Sequence, residues 1–175
     1  MKLVIRASLV LVMALTVHGC TVKFQTTPAN TETPAESIAI TTFNNMSGGG
    51  PPSLSQDLSE AIRTYFMNNT KLEIVNDPSE GDLVLEGDIV GFQVAPAAAS
   101  SQDGQERAPL NRLTITLSVT YENPYTKDYS FKDKRISYFA DFDANESLTQ
   151  VEDQLSREII EELVVLVFNA SFDNW

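Results

Sequence analysis

Residues 110–121 read LNRLTITLSVTY. Leu113, Ile115, Leu117, Val119 and Tyr121 fall on one side of an extended chain, and Arg112, Thr114, Thr116, Ser118 and Thr120 fall on the other. A period of two, with apolar groups on one side and hydroxyls on the other, predicts a strand with one packed face and one wet face. Such a sheet needs a second layer over its apolar side only.

Working outward, a proline-containing turn at 122–126 (ENPYT) leads into an aromatic-rich stretch, 129–142, which reads as the antiparallel partner. On the other side a polar loop, 95–109, separates the first strand from 82–94 (DLVLEGDIVGFQV). The apolar phase of that second strand shifts between Ile89 and Val90, and Gly87 and Gly91 flank the shift, so a bulge or bend is expected there. Shorter strands are predicted at 37–43 (SIAITTF) and 71–75 (KLEIV), with the first broken by 44–52 (NNMSGGGPP).

Two helices complete the pattern. Ser53 to Gln56 matches a capping box, and Leu54, Leu58, Ala61, Ile62 and Tyr65 continue at helical spacing toward Asn69. Ser147 to Gln150 matches a second one, followed by a stripe of Leu148, Val151, Leu155, Ile159, Leu163 and Leu166 that runs to about Phe172. Both helices are one-sided. The order β-α-β-β-β-β-α predicts an α+β fold: a two-layer α/β sandwich with two helices on one face of a mixed, mostly antiparallel sheet of four to five strands.

The chain has 175 residues, suited to one domain with a substantial core. Its net charge is −12, a sign that repels nucleic acid and anionic surfaces. The single histidine, His18, and the single cysteine, Cys20, stand together near the N-terminus. Downstream of them there is no material for Ser-His-Asp or Cys-His catalysis, for imidazole or thiolate zinc sites, or for a disulfide. No enzyme, metal site or cofactor is expected.

Lys2 and Arg6 form a basic opening, and 7–17 (ASLVLVMALTV) is an apolar run of signal-peptide length, short for a membrane span. Val17-His18-Gly19-Cys20 resembles the lipobox of bacterial lipoproteins, with His18 in place of the usual small residue. The expected organisation is a signal peptide at 1–19, a lipidated tether at 20–36 rich in Thr and Pro, and one domain at 37–175. Acyl chains on Cys20 would anchor the protein. Thr21, rather than Asp, after the cysteine favours the outer membrane.

Three other signals read as structural. Asp141-Phe142-Asp143 places two carboxylates on one side of a strand, but it precedes a helix whose dipole favours acids. Gly48-Gly49-Gly50 lacks the Lys-Ser/Thr of a phosphate loop, and Pro51-Pro52 remove backbone donors, so it reads as a flexible turn. Tyr138, Phe139 and Phe142 read as packing residues, and Trp175 as a helix cap or partner contact.

Taken together, IAITTFNN (38–45), PPSLSQDLSEAI (51–62), the LEGxI core within 82–96, LNRLTIT (110–116), YFADFD (138–143) and the late FNxxFxxW ending resemble the LptE family of lipopolysaccharide-assembly lipoproteins. The match spans nearly all of the chain after Cys20. The resemblance implies an α/β two-layer sandwich that plugs the LptD barrel, helps it assemble, and takes part in lipopolysaccharide transport to the outer membrane, on the periplasmic side. The hydroxyl face around Arg112 would suit a water-filled barrel interior. Contact with lipopolysaccharide phosphates would need cations, and Arg112, Lys127, Lys132, Lys134 and Arg135 are the candidates for barrel or lipopolysaccharide contact. A competing reading comes from residues 38–82, which also look like the opening of TolB-like and CsgG-like envelope domains; it would make the chain a general envelope or secretion-pore lipoprotein.

Overall fold

The computed structural model describes residues 34–97 and 109–172. The expected signal peptide, Cys20, most of the expected tether, the middle of the 95–109 loop and Trp175 lie outside the described residues. In chain order the elements are β1 (Ser37–Ile40), β2 (Asn44–Asn45), α1 (Leu54–Asn69), β3 (Glu73–Val75), β4 (Leu83–Ala97), β5 (Leu110–Glu122), β6 (Phe131–Asp143) and α2 (Leu148–Phe172). The sheet order is β3-β1-β4-β5-β6, with β2 also on β4. Two helices on a mixed sheet is the α+β architecture the periodicity predicts, with six strands rather than four or five.

The long antiparallel ladders β4–β5 and β5–β6 carry most of the pairing, whereas β1 and β2 run parallel to β4 and β1 runs parallel to β3. The extra strand, β2, arises where the chain was expected only to break. Ile40 pairs with Leu85 and Asn44 with Asp88, so Thr41, Thr42 and Phe43 span the same length as Glu86 and Gly87. The surplus residue swings Phe43 into the core, where it is fully buried. Gly87 makes this possible, because a Cβ there would run into the Phe43 ring and lie 2.8 Å from the Ser118 carbonyl.

Leaving the ladder strands polar groups of the backbone, and α1 satisfies them. Phe43 N–H donates to Ser59 Oγ (3.0 Å), Ser55 Oγ donates to the Phe43 carbonyl (2.6 Å), and the Arg63 guanidinium donates to the Ile40 carbonyl (3.1 Å from Nη2). The 46–50 loop is also held. Asn45 Nδ2 donates to the Gly49 carbonyl, Ser47 N–H and Oγ–H both donate to Asn45 Oδ1, and Gly50, at φ +92°, sits where a Cβ would strike Leu54 and Phe92. The expected flexible turn is thus a hydrogen-bonded, packed one.

The phase shift in β4 is a bulge: Ile89 pairs with Leu117 and Gly91 with Thr116, leaving Val90 over. A second bulge in β6 places Asp133 at φ +51°, with its N–H donating to Thr120 Oγ1. Of the two capping boxes, only the second forms in part. Gln150 Oε1 accepts from the Ser147 N–H and hydroxyl, whereas the Ser53 hydroxyl donates to Asp57 instead of capping α1.

The core lies between the sheet and both helices. On α2 the buried apolar positions are Leu155, Ile159, Ile160, Leu163, Val164, Val167 and Phe168. Leu166, placed in the stripe by its spacing, is exposed instead. The reason is that the buried face rotates along the helix as it comes to pack on α1, where Phe168 meets Tyr65 and Phe66 edge to face at 5.1 and 5.2 Å.

Candidate functional site

Because both helices share one core with the inward side chains of β5, the other face of the sheet stays open. Register builds it row by row. Thr114 lies between Gln93 and Phe139, Thr116 between Gly91 and Ser137, and Ser118 between Asp88 and Arg135, with Thr120 beside Glu86. The result is a half-buried hydroxyl strip down β5, flanked by acids on β4 and by Arg135 on β6.

At one end of this face, Arg112 and Asp141 meet as a fork. Nε lies 2.6 Å from Oδ1 and Nη2 lies 2.8 Å from Oδ2. The guanidinium carbon sits 3.6 Å from the centroid of the Phe139 ring, a cation–π stack on an exposed aromatic. The hydrogen bond from Arg112 holds the Asp141 carboxyl below its ordinary range, and the same bond raises Arg112. A paired guanidinium offers its remaining N–H donors to a neutral polar partner but attracts an anion less than a free one does.

The other cations gather at the opposite end. Lys127 is in the 3-10 turn Lys127–Tyr129; Lys132, Lys134 and Arg135 open β6, and none of the four forms an ion pair among the described residues. Lys134 pairs with Val119 on the helix side, its ammonium 4.9 Å from the centre of the Phe131 ring, whereas Arg135 is on the open face. Ser118, which pairs with Arg135, is six residues from Arg112, so about 20 Å separates the two along the strand. The five candidates therefore form a lone, neutralised Arg112 and a separate basic cluster, not one site.

Asp141 and Phe139 were not among the candidates, although carrying the strand register across the 122–126 turn puts both beside Arg112. Asp143 serves the turn into α2, accepting from the N–H and side-chain amide of Asn145. Another unanticipated cluster closes the start of β1: Asp82 accepts from the N–H groups of Glu36 and Ser37, from the Ser37 hydroxyl, and from the Tyr125 phenol. Among the described residues no group of His, Cys, Asp and Glu could hold a metal, and no helix is long and apolar enough to cross a membrane.

Fold and face together define a two-layer α+β module that presents a hydroxyl-lined sheet surface beside a stacked arginine. Residues 35–171 match the family model LptE, lipopolysaccharide-assembly, and the chain belongs to that family. It is therefore a lipopolysaccharide-assembly protein.

Solved structures are similar at low identity. A putative neuraminyllactose-binding hemagglutinin homolog from Helicobacter pylori is 12% identical, covering 81% of this chain and 87% of its own, with a TM-score of 0.49. Rare lipoprotein B from Shewanella oneidensis is 13% identical, covering 74% and 91%, with a TM-score of 0.47. A minor lipoprotein from Acinetobacter baumannii is 13% identical, covering 78% and 92%, with a TM-score of 0.44. Likenesses at this level do not bear on function. Comparison with curated proteins gave no match.

Proposed function

We propose that this chain is a lipoprotein of the outer membrane, cut before Cys20 and held on its periplasmic side, that seats in an LptD-type β-barrel as plug and assembly factor for lipopolysaccharide. Residues 1–19 are then the signal, 20–36 the tether and 37–175 the plug. The observation that carries the reading is the open face of β4, β5 and β6 in a family of lipopolysaccharide assembly. A plug must be polar where it meets a water-filled lumen, and this face offers Thr114, Thr116, Ser118, Thr120 and Ser137 in register. The role is one of binding and assembly, without bond chemistry.

Arg112, stacked on Phe139 and fixed by Asp141, is the rigid anchor for the barrel wall. Lys127, Lys132, Lys134 and Arg135 are the lipopolysaccharide contacts, since their charges are not spent on neighbouring carboxylates. Affinity purification from detergent-solubilised outer membranes tests the partnership. Recovery of a barrel protein in a stable complex is expected, and recovery of none rejects the plug.

A further inference from the structure

Helices α1 and α2 pack side by side over the sheet, and each turns one stripe toward the furrow between them. The stripes follow helical i, i+3, i+4 spacing, from Asp57 to Tyr65 on α1 and from Arg157 to Val165 on α2, so each runs along about 12 Å of helix. Together they enclose a groove of about 770 Å³. Its floor is apolar. Ile160 and Val164 are buried, Ala61, Tyr65 and Val165 are half-buried, and the Phe168 ring braces Tyr65 edge to face at 5.1 Å. No residue of the groove belongs to the face of β4, β5 and β6 that the plug reading seats on the barrel wall.

The rim is acidic. Asp57 and Glu60 stand on the α1 bank and Glu161 and Glu162 on the α2 bank, against Arg157 alone, and none of the five forms an ion pair among the described residues. Over the two helices seven acids face two arginines, so the surrounding surface reinforces the negative field instead of cancelling it. That sign repels phosphates and anionic headgroups. Among the described residues no acids stand close enough together to hold a metal ion. The complement is therefore positive charge spread along a chain, with an apolar stripe to cover the floor.

We propose that this groove docks a cationic amphipathic helix of a second protein, other than the barrel. A furrow between two helices receives a third by ridge-into-groove packing, whereas a barrel wall offers strands. Apolar anchors at i and i+4 lie about 6 Å apart along the axis, so two of them fit over the floor between Tyr65 and Ile160. Lys and Arg on the flanks of that stripe then meet the acids on both banks.

The test uses the full chain in uncharged detergent and a fluorescent helical peptide with Leu at i, i+4 and i+7 and Lys on both flanks, read by anisotropy against detergent alone. Saturable binding that weakens with added salt is expected. Glu161→Lys with Glu162→Lys should lower the affinity about tenfold. Thr64→Trp, an exposed position on the groove, should block binding without changing the charge. Glu80→Lys with Asp128→Lys, two exposed acids away from the groove, should leave it nearly unchanged. In membranes, a photoreactive residue at Val165 should trap a Lys- and Arg-rich segment of a protein other than the barrel. The proposal is overturned if variants that melt like the unmodified chain show no saturable binding, no effect of Thr64→Trp, or an equal loss on reversing Glu80 and Asp128. Trapping of the barrel or of lipopolysaccharide at Val165 overturns it too. Recovery of the barrel with Thr64→Trp, unchanged in a pull-down, separates failure of the groove from failure of the plug.

Discussion

Arg112 and Asp141, 29 residues apart in sequence, close a two-point fork across β5 and β6 on the open face, with the Phe139 ring beneath the guanidinium. Both side chains stand at the solvent-facing surface, about a third exposed, where such pairs contribute little to folding. Arg112→Ala should therefore leave the thermal midpoint nearly unchanged, yet cut recovery of the barrel in a pull-down several-fold. Arg112→Lys should not restore it, because an ammonium cannot reproduce the fork or the flat stack. Full recovery with Arg112→Ala would remove the triad from the interface.

Ser59 ties α1 to the β1–β2 bulge, accepting from the Phe43 N–H and donating to the Ser55 carbonyl at 2.7 Å. The site is buried, so Ser59→Ala leaves an amide without a partner and should cost about 1 to 3 kcal/mol in urea unfolding. Gly87→Ala should cost about as much by overpacking the Phe43 ring. Phe43→Leu should relieve only part of that, because the Ser118 carbonyl cannot withdraw as a side chain can. A Ser59→Ala midpoint equal to that of the unmodified chain would show the bulge to be held otherwise.

What could be read in advance followed from local period. The alternation of β5, the β4 phase slip at Ile89 and Val90, and the start of α2 at Leu148 are each written within a dozen residues. What could not be read depends on distant partners. The β2 pairing needs Asp88, the Asp82 closure reaches back to Ser37 across 45 residues, and Leu166 leaves the buried stripe because α1 redirects it. The five candidate cations could be named from the sequence, but their sorting into a neutralised Arg112 and a separate basic cluster required the β5–β6 register.

Asp82 gives the fold an acid-sensitive clasp. Hydrogen bonds from Glu36 N–H first, then from the Ser37 hydroxyl, hold its carboxyl below the ordinary 3.8. A depressed value means that its stabilisation is fully present above the unfolded value and is lost as pH falls through the folded one. The thermal midpoint should thus decline from about pH 4 downward. Asp82→Asn should lower the midpoint at neutral pH and make this acid limb shallower. An acid limb of unchanged steepness would assign the transition to other carboxylates such as Asp77 and Asp141, which are depressed as well.

Tyr121 works in the opposite direction. Its ring is buried against Phe131 and Phe172, each about 5.8 Å between centroids, while its hydroxyl has no hydrogen-bond partner among the described residues. Burial pushes the phenol up from 10.0 to about 12, and Asn123 eases the shift without completing a hydrogen bond. A raised value means that the neutral phenol belongs to the folded state. Its contribution holds below pH 10 and is lost as pH climbs from there through about 12. Tyr121→Phe keeps the ring packing, deletes a buried hydroxyl that makes no bond, and removes the titration. It should leave stability at neutral pH unchanged or slightly higher, and should weaken the alkaline decline of the midpoint. A loss of about 1 kcal/mol or more at neutral pH would show instead that the hydroxyl is hydrogen-bonded in solution.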